Sequence, residues 1–435
     1  MNTIKLGFVI PTGTYNHDPF RNQPLTILFL ATILERAFGD RIEINLIDLR
    51  GVASENLLDQ FEEHDAYLYS IHTLDAVEAN TLVAGLRKKY KKACHIAGGP
   101  HVSLFPDLTG KVFDAIAIGE SEQSIINIVN DLLAANLQPT YKQAELSDLN
   151  AYPYPDRKWI DRSQVAQDAI LNKEYIDLKG TSVLLSRGCP FDCHFCSNLV
   201  AGNVRYRDAE LIQEELEYLK RDYGVEALAI KDDNAIPVGK VFSRPYLEAI
   251  GSAGLKWRGQ SRATGILPEM ARLAKEAGCI EIAIGLDSVS AEARNAVNKQ
   301  LNMEKAREYI ALLQNIGIGV RLHFIIGFPN EPPDIAKQTM QFINEVDPNS
   351  VLLSILIPLP GTEMYRNPDA FGMTDLSTDF DKYKTAWAGF NEDERPEMVF
   401  RYKKQTPWGE GRSNDVIIDD YLTIQSELRT RRMKF

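Results

Sequence analysis

Short runs of β-branched and aliphatic residues alternate with segments of helical period twice along this chain, and that repeated alternation constrains the fold more than any other feature. From residue 1 to about 134 the runs IKLGFVI, IEINLIDL, AYLYSI, CHIAGG and VFDAIAIG read as strands, with helical patterns at 24–38, 54–62, 76–90 and 122–133. Strands reached through crossover helices run parallel, so this stretch reads as a doubly wound α/β sheet with its ligand at the strands' carboxyl ends. Residues 135–180 are richer in Pro, Asp and Tyr, with PYPDR at 153–157, and keep no period; they read as a linker that partly wraps. The alternation restarts at 181 with SVLLS, ALAIK, KWRGQSR, IEIAIGL, GVRLHFIIG and SVLLSILI, interleaved with helices at 208–222, 241–252, 267–276, 303–316 and 333–345. Six strands are too few to close an eight-stranded barrel. Residues 366–435, with a last helix near 416–430, read as a small C-terminal cap over a second domain at 181–365.

The 435 residues suffice for two or three domains, each with its own core. Hydrophobic residues at 44% and charged residues at 25% exclude a disordered or collagen-like chain. Lys plus Arg number 48 against 60 for Asp plus Glu, a net charge of -12 that repels phosphate backbones and anionic lipid, so neither nucleic acid nor membrane is an expected partner. The opening MNTIKLGFVIPTG reads as a strand and not as a leader. The longest apolar stretch, 25–34, is interrupted by Thr26 and Thr32 and falls short of the roughly 20 residues that span a bilayer. The expected location is cytoplasmic.

Three of the five cysteines, Cys189, Cys193 and Cys196, fall in SRGCPFDCHFCSN, a C-x3-C-x2-C loop directly after the expected strand at 183–186. No disulfide framework needs such crowding; metal ligation in a reducing compartment does. Two metal sites fit the residues. One is an iron–sulfur cluster with three irons held and a fourth left open to bind and polarise a substrate. The other is zinc, with His194 as fourth ligand.

The loop closely resembles the signature of radical S-adenosylmethionine (radical SAM) enzymes, in which the open iron of a 4Fe–4S cluster chelates the methionine amine and carboxylate. The resemblance implies a partial (β/α)6 radical SAM barrel, with the loop after its first strand and Phe195 near the adenine. AIKDDNA at 229–235, SRAT at 261–264, IGLDS at 284–288, GFPNE at 327–331 and PLPGTEMY at 358–365 resemble further motifs of the subgroup carrying a cobalamin-type domain. By that resemblance Asp233 and Asn234 lie near the methionine amine and Asp287 near the ribose. The subgroup commonly has Glu where Asp287 stands and Gly where Asn330 stands. Each carboxylate also fits a plainer role, capping the next helix.

Ser70 and His72 end one strand of the first domain, Gly98, Gly99 and His101 another, and IGESE, with Glu120, a third. Adjacent glycines admit a ligand to the backbone, and a serine hydroxyl can donate to a ring nitrogen. With the segment at 24–34, these resemble the Rossmann-like cobalamin-binding domains of the same subgroup, over nearly all of 1–134. The D-x-H-x-x-G segment that supplies an axial histidine in many cobalamin proteins is missing, since Asp48 is followed by Leu49-Arg50-Gly51. His72, Leu74 or a neighbour is expected to face cobalt instead, and His101 to be a loop residue against the ligand tail or facing solvent. Cys94 and Cys279 read as inert buried thiols. Arg262 and Arg321 read as partners of a carboxylate, from a ligand or from the chain itself, and His323 as a core residue.

The resemblance implies an enzyme that forms a 5′-deoxyadenosyl radical from S-adenosylmethionine, with methylcobalamin methylating an unactivated carbon of a small metabolite or natural-product intermediate. It implies a flavodoxin or ferredoxin electron donor, docking through basic residues around the cluster. The alternatives are a radical rearrangement, cyclisation or oxidation without methyl transfer, and a non-catalytic zinc-binding scaffold.

Overall fold

Leu6 through Ile10 are all buried in the first strand, the continuous apolar run of a parallel strand covered on both faces. The computed structural model describes residues 3–143, 145–168, 177–200, 202–238, 240–263, 267–388 and 395–431. It divides into two units, 1–165 and 166–435.

The first unit runs β1 (Ile4–Ile10), α1 (Leu25–Phe38), β2 (Ile42–Asp48), β3 (Ala66–Ser70), α2 (Ala76–Lys89), β4 (Cys94–Gly98), α3 (Pro100–Leu104), α4 (Pro106–Thr109), β5 (Ala115–Ile118), α5 (Glu122–Leu133), β6 (Thr140–Lys142) and α6 (Arg162–Val165). Its strands form one parallel sheet in the order β2-β1-β3-β4-β5-β6. The order reverses between β1 and β3, which opens a crevice at their carboxyl ends. Helices α1 and α5 cover one face, packing Ile27, Phe29, Ile33, Ile125 and Ile128 on Leu6, Phe8 and Leu68.

Two details differ from the sequence reading. The segment at 54–62 is a 3-10 helix over Ser54–Gln60. Residues 135–165 belong to the first unit and do not form a free linker: β6 extends the sheet, Tyr152 packs edge-on to Phe29, and the Gln23 amide donates to the Val165 carbonyl at 2.9 Å. A three-residue strand is too short to show a period, and Pro-rich chain laid over a surface shows none.

The second unit runs β7 (Gly180–Val183), β8 (Ser186–Arg187), β9 (Arg205–Tyr206), α7 (Ala209–Tyr223), β10 (Ala227–Ile230), α8 (Lys240–Ser252), β11 (Lys256–Ser261), α9 (Pro268–Glu276), β12 (Cys279–Asp287), α10 (Ala291–Ala296), α11 (Met303–Asn315), β13 (Gly319–Ile326), α12 (Ile335–Val346), β14 (Ser350–Ile355), α13 (Glu363–Arg366), β15 (Met373–Thr374), α14 (Phe380–Ala388), β16 (Arg401–Tyr402), β17 (Gln405–Thr406), β18 (Gly409–Glu410) and α15 (Asn414–Thr430). Six parallel strands follow sequence order, β7-β10-β11-β12-β13-β14, each added on the same side of the last as in a barrel wall. Helix α15 buries Ile417, Tyr421, Ile424 and Leu428 and packs on α12 and β14, so the end of the chain joins the outer helical layer. Among the described residues no helix is long and apolar enough to cross a membrane.

Candidate metal and cofactor site

The first barrel strand does not run on through 186. It stops at Val183, because the Leu185 N–H turns to the carboxylate of Asp232 at 2.8 Å and the Ser186 hydroxyl donates to the same group at 2.5 Å. The Tyr246 hydroxyl completes the set at 2.8 Å. Asp232 is fully buried, and desolvation pushes its carboxyl up to about 6 against these three donors. Ser186 and Arg187 then pair antiparallel with Tyr206 and Arg205, closing residues 188–204 into a necked loop.

Inside the neck Gly188 has φ +95°, and a Cβ there would lie 2.3 Å from the Asn203 carbonyl oxygen. Only glycine fits. The Cys189 carbonyl accepts from Gly202 N–H at 2.7 Å, His194 N–H donates to the Val297 carbonyl at 3.0 Å, and the Asn298 amide holds the Asp192 carbonyl at 2.7 Å. The loop bearing the three thiols is thereby fixed at the carboxyl end of β7. Cys196 is its exposed member, yet its sulfur is hemmed in: desolvation, then the nearby Cys193 thiol, the Asp233 carboxylate and the Cys189 thiol, push it up.

Among the described residues no three His, Cys, Asp or Glu side chains converge to hold a single metal ion. A tetrahedral zinc site with bonds of about 2.3 Å requires thiolates only about 3.8 Å apart. A cubane instead takes one thiolate on each of three irons, and three thiols on one tight loop are a donor set that suits it. His194 packs edge-on to Phe371 at 5.6 Å between ring centroids, and its buried Nδ1 has no hydrogen-bond partner among the described residues.

Two residues after β10 reach the loop. The Asn234 Nδ2 donates to Cys189 Sγ at 3.5 Å, while its buried Oδ1 has no hydrogen-bond partner among the described residues, an acceptor left for an ammonium or N–H donor. Asp233 accepts from the Asn198 amide at 2.8 Å, and burial pushes its carboxyl up. Asp287 ends β12 at φ +65° and is buried in an ion pair with Lys299, so its carboxylate is already engaged within the chain. Lys299 also stands 6.0 Å over the Phe195 ring, which packs on Phe328 at 4.9 Å. Phe195, Phe328, Lys299 and Asp287 thus form one cluster beside the third cysteine. Neither Lys299 nor Asp232 was legible as a site residue, since a lone Lys after a helix and the first Asp of a pair carry no motif of their own.

Of the two arginines, Arg321 shares the buried Glu281 with Arg258, at 4.0 and 3.3 Å. Arg262 instead reaches the thiol loop. Burial, then the Arg321 charge, hold the His323 imidazole down to about 4. Thr264, the last residue of SRAT, lies outside the described residues. The groove beside the cysteine loop, lined by Asp192, His194, Glu363, Arg366, Asp369 and Phe371, carries three carboxylates to one guanidinium.

In the first unit the strand-end residues gather as their positions require. Ser70 pairs in register with Gly98, and His101 lies in α3, where Nδ1 shares a hydrogen bond with the Thr73 hydroxyl at 3.3 Å. His101 is buried, not a solvent-facing loop residue, because the helix begins directly at Pro100. Burial holds its imidazole down to about 4. His72 is exposed, with Nδ1 3.7 Å from the buried Asp75 carboxylate. Glu120 accepts from the Ser147 N–H at 2.7 Å. Gly99, at φ +100°, is needed for packing: a Cβ would lie 2.8 Å from the Ile71 backbone. Gly98 would meet only ordinary contacts, and the space at Gly119 is open, so those two leave backbone accessible.

At the β1/β3 crevice Thr12 binds the Glu78 carboxylate through both N–H and hydroxyl, and the Tyr15 hydroxyl donates to Asp75 at 3.4 Å. Arg50, standing where an axial histidine is absent, folds back on Asp48 through Nε at 2.8 Å and Nη2 at 2.6 Å and on Gln164 at 2.8 Å.

Residues 183–343 match the radical SAM superfamily. An uncharacterised methyltransferase of Pyrococcus horikoshii is 28% identical over 378 residues, covering 83% of this chain and 82% of the relative. The bacteriochlorophyllide d C-12(1)-methyltransferase of Chlorobaculum tepidum is 25% identical over 374 residues, covering 84% and 77%. Among solved structures, the radical S-adenosylmethionine methyltransferase TsrM of Kitasatospora setae, with cobalamin and a 4Fe–4S cluster bound, superposes with a TM-score of 0.68 at 14% identity, over 94% of this chain and 85% of that one.

Proposed function

From a chain that belongs to the radical SAM superfamily through residues 183–343, we infer a cobalamin-type radical SAM enzyme that methylates carbon in a small metabolite or natural-product intermediate. The observation that carries the reading is the glycine-necked loop at the end of β7, which presents three thiols on one side of a barrel and meets Asn234 from the next strand. When bound, a 4Fe–4S cluster with S-adenosylmethionine supplies a 5′-deoxyadenosyl radical able to take hydrogen from an unactivated carbon, and cobalamin supplies the methyl group.

The chain's own residues hold and orient. Cys189, Cys193 and Cys196 ligate three irons. Asn234 offers its free Oδ1 to the methionine ammonium, with the Asp233 carboxylate beside it. Phe195, backed by Phe328, presents an apolar face suited to the adenine. Asp287 meets the ribose only while sharing its charge with Lys299. In the first unit Ser70, His72, Gly98, Gly99, His101 and Glu120 form the strand-end surface for cobalamin. Arg50, bonded to Asp48 and Gln164, would offer no imidazole to a bound cobalamin.

The layout we propose is a cobalamin-binding domain at 1–134, with 135–165 packed on it as part of the same unit, a partial barrel at 181–365 and a C-terminal region at 366–435. The relatives named as methyltransferases favour methyl transfer over rearrangement, cyclisation or oxidation. A flavodoxin or ferredoxin supplies the electron. The test is anaerobic purification with hydroxocobalamin, followed by mass spectrometry of products with S-adenosylmethionine and a strong reductant. Stoichiometric cobalt with 5′-deoxyadenosine formation is expected; zinc at the cysteines, with no 5′-deoxyadenosine, contradicts the reading.

A further inference from the structure

Arg262 lies just past the end of β11, and its guanidinium is held from three sides. Nη1 donates to Cys193 Sγ at 3.5 Å, Nη2 donates to the Gln300 carbonyl, and the group lies 3.6 Å from the Phe191 ring centroid. The residue is 7% exposed. These partners are a thiol, a carbonyl and a ring, none of them the carboxylate that an arginine on a barrel strand leads one to expect. Asn234 makes the matching contact on a second thiol, with Nδ2 donating to Cys189 Sγ at 3.5 Å. Cys196 receives no side-chain donor among the described residues; the backbone N–H of Asn198 serves it instead.

We propose that Arg262, assisted by Asn234, is a tuning residue that sets the reduction potential of the cluster held by the cysteine loop, raising it by donating to Cys193. The inference rests on the reading of that loop as a 4Fe–4S site and goes beyond it. On reduction from the 2+ to the 1+ state the cluster takes one electron from an external reductant and gains one negative charge. Hydrogen bonds to the ligating sulfurs and nearby positive charge favour the reduced form, which moves the potential upward. Both effects strengthen where water is excluded. The three contacts on Arg262 fix its planar fork in place, so little entropy is lost in keeping the charge there. Arg262 brings a full charge and Asn234 only an amide dipole, so Arg262 carries the larger share.

The test is an EPR-monitored redox titration of the full chain, reconstituted anaerobically with iron and sulfide, with titanium(III) citrate as reductant and no S-adenosylmethionine. The variants are Arg262→Gln, Arg262→Lys and Asn234→Ala. At a fixed ambient potential Arg262→Gln is expected to lower the ratio of reduced to oxidised cluster about tenfold, a downward shift of about 59 mV for one electron. Arg262→Lys, which keeps a charge but loses the fork, and Asn234→Ala should each shift it less, in the same direction. If Arg262→Gln assembles no cluster, the other two decide: downward midpoints support the inference and coincident midpoints overturn it. Unmoved midpoints, with S-adenosylmethionine binding weakened in equilibrium dialysis of the same cluster-loaded variants, would assign Arg262 to the methionine carboxylate and overturn it too. A wild-type chain that holds zinc overturns the underlying reading along with the inference, whereas a four-iron cluster with the same midpoint in every variant overturns the inference alone.

Discussion

Arg412, two residues past β18, meets the carboxylate of Glu331, the last residue of GFPNE, at 2.7 Å, and the Glu331 side chain is wholly buried. Arg412 also pairs with Asp420, and the Tyr402 hydroxyl donates to the Gly327 carbonyl at 2.8 Å. The C-terminal residues thus clamp the 327–331 loop, whose Phe328 backs Phe195. Removing one partner of a buried pair costs about 3–5 kcal/mol, since the other charge stays behind. Arg412→Ala should therefore lower stability by that order at pH 8, read by urea unfolding.

The same carboxyl gives the pH dependence. Burial pushes Glu331 up to about 7, outweighing the downward pull of Arg412. Unfolded, it titrates near about 4.3. The folded chain therefore binds a proton that the unfolded chain does not, so this contribution is full below about 4.3 and is lost as pH rises through about 7. Thermal melts at pH 5 and pH 8 should show the wild type losing stability against Glu331→Gln over that interval, and the cost of Arg412→Ala should be smaller at pH 5.

Histidines held down by desolvation give the opposite slope. Desolvation holds His95, His101 and His323 each down to about 4, against about 6.5 unfolded. Unfolding takes up protons between those values, so their stabilisation is complete above about 6.5 and is lost as pH falls toward 4. In His101→Gln, one fewer proton should be taken up per chain unfolded at pH 5, measured from the pH dependence of the unfolding free energy.

The two adjacent glycines after β4 separate packing from ligand access. Gly99→Ala forces a Cβ against the Ile71 backbone at positive φ, and strain of roughly 1–3 kcal/mol should lower Tm. Gly98→Ala meets only ordinary contacts and should leave Tm unchanged. Gly98→Leu should reduce cobalt per chain after hydroxocobalamin loading, read by absorbance. Undiminished cobalt would remove Gly98 from the cobalamin surface.

Asn234→Asp keeps an oxygen acceptor but loses the N–H that Cys189 receives, whereas Asn234→Ala loses both. The Ala variant should weaken S-adenosylmethionine binding at least about tenfold, the loss of about 1.4 kcal/mol expected for one hydrogen bond to a charged group. The Asp variant should bind more tightly than Ala. Equilibrium dialysis on cluster-loaded protein measures both, and equal affinities would exclude an ammonium contact at this side chain.

Much of the architecture was legible because strand and helix periods are long-range patterns: both parallel sheets and the strands that bear the cysteine loop, Asn234 and Gly98 follow from alternation. What escaped was set by single contacts. The end of β7 at Val183 depends on contacts of Asp232 with Leu185 and Ser186, 47 and 46 residues away along the chain, which no spacing announces. Three-residue β6 is below the length at which alternation is visible. Burial of His101 depends on where α3 begins, and the turn of Arg262 toward sulfur on Phe191 and Gln300, both distant in sequence. Spacing along the chain names candidates; which neighbour each one meets is decided by packing.

The central claim, three thiols holding a cluster with one iron open to S-adenosylmethionine, is tested most directly by EPR of the anaerobically reconstituted, dithionite-reduced chain before and after adding S-adenosylmethionine. The account predicts a 4Fe–4S signal that changes its g values on addition and is absent when Cys189, Cys193 and Cys196 are all replaced by Ala. A signal indifferent to S-adenosylmethionine, or one that survives the triple replacement, would contradict it.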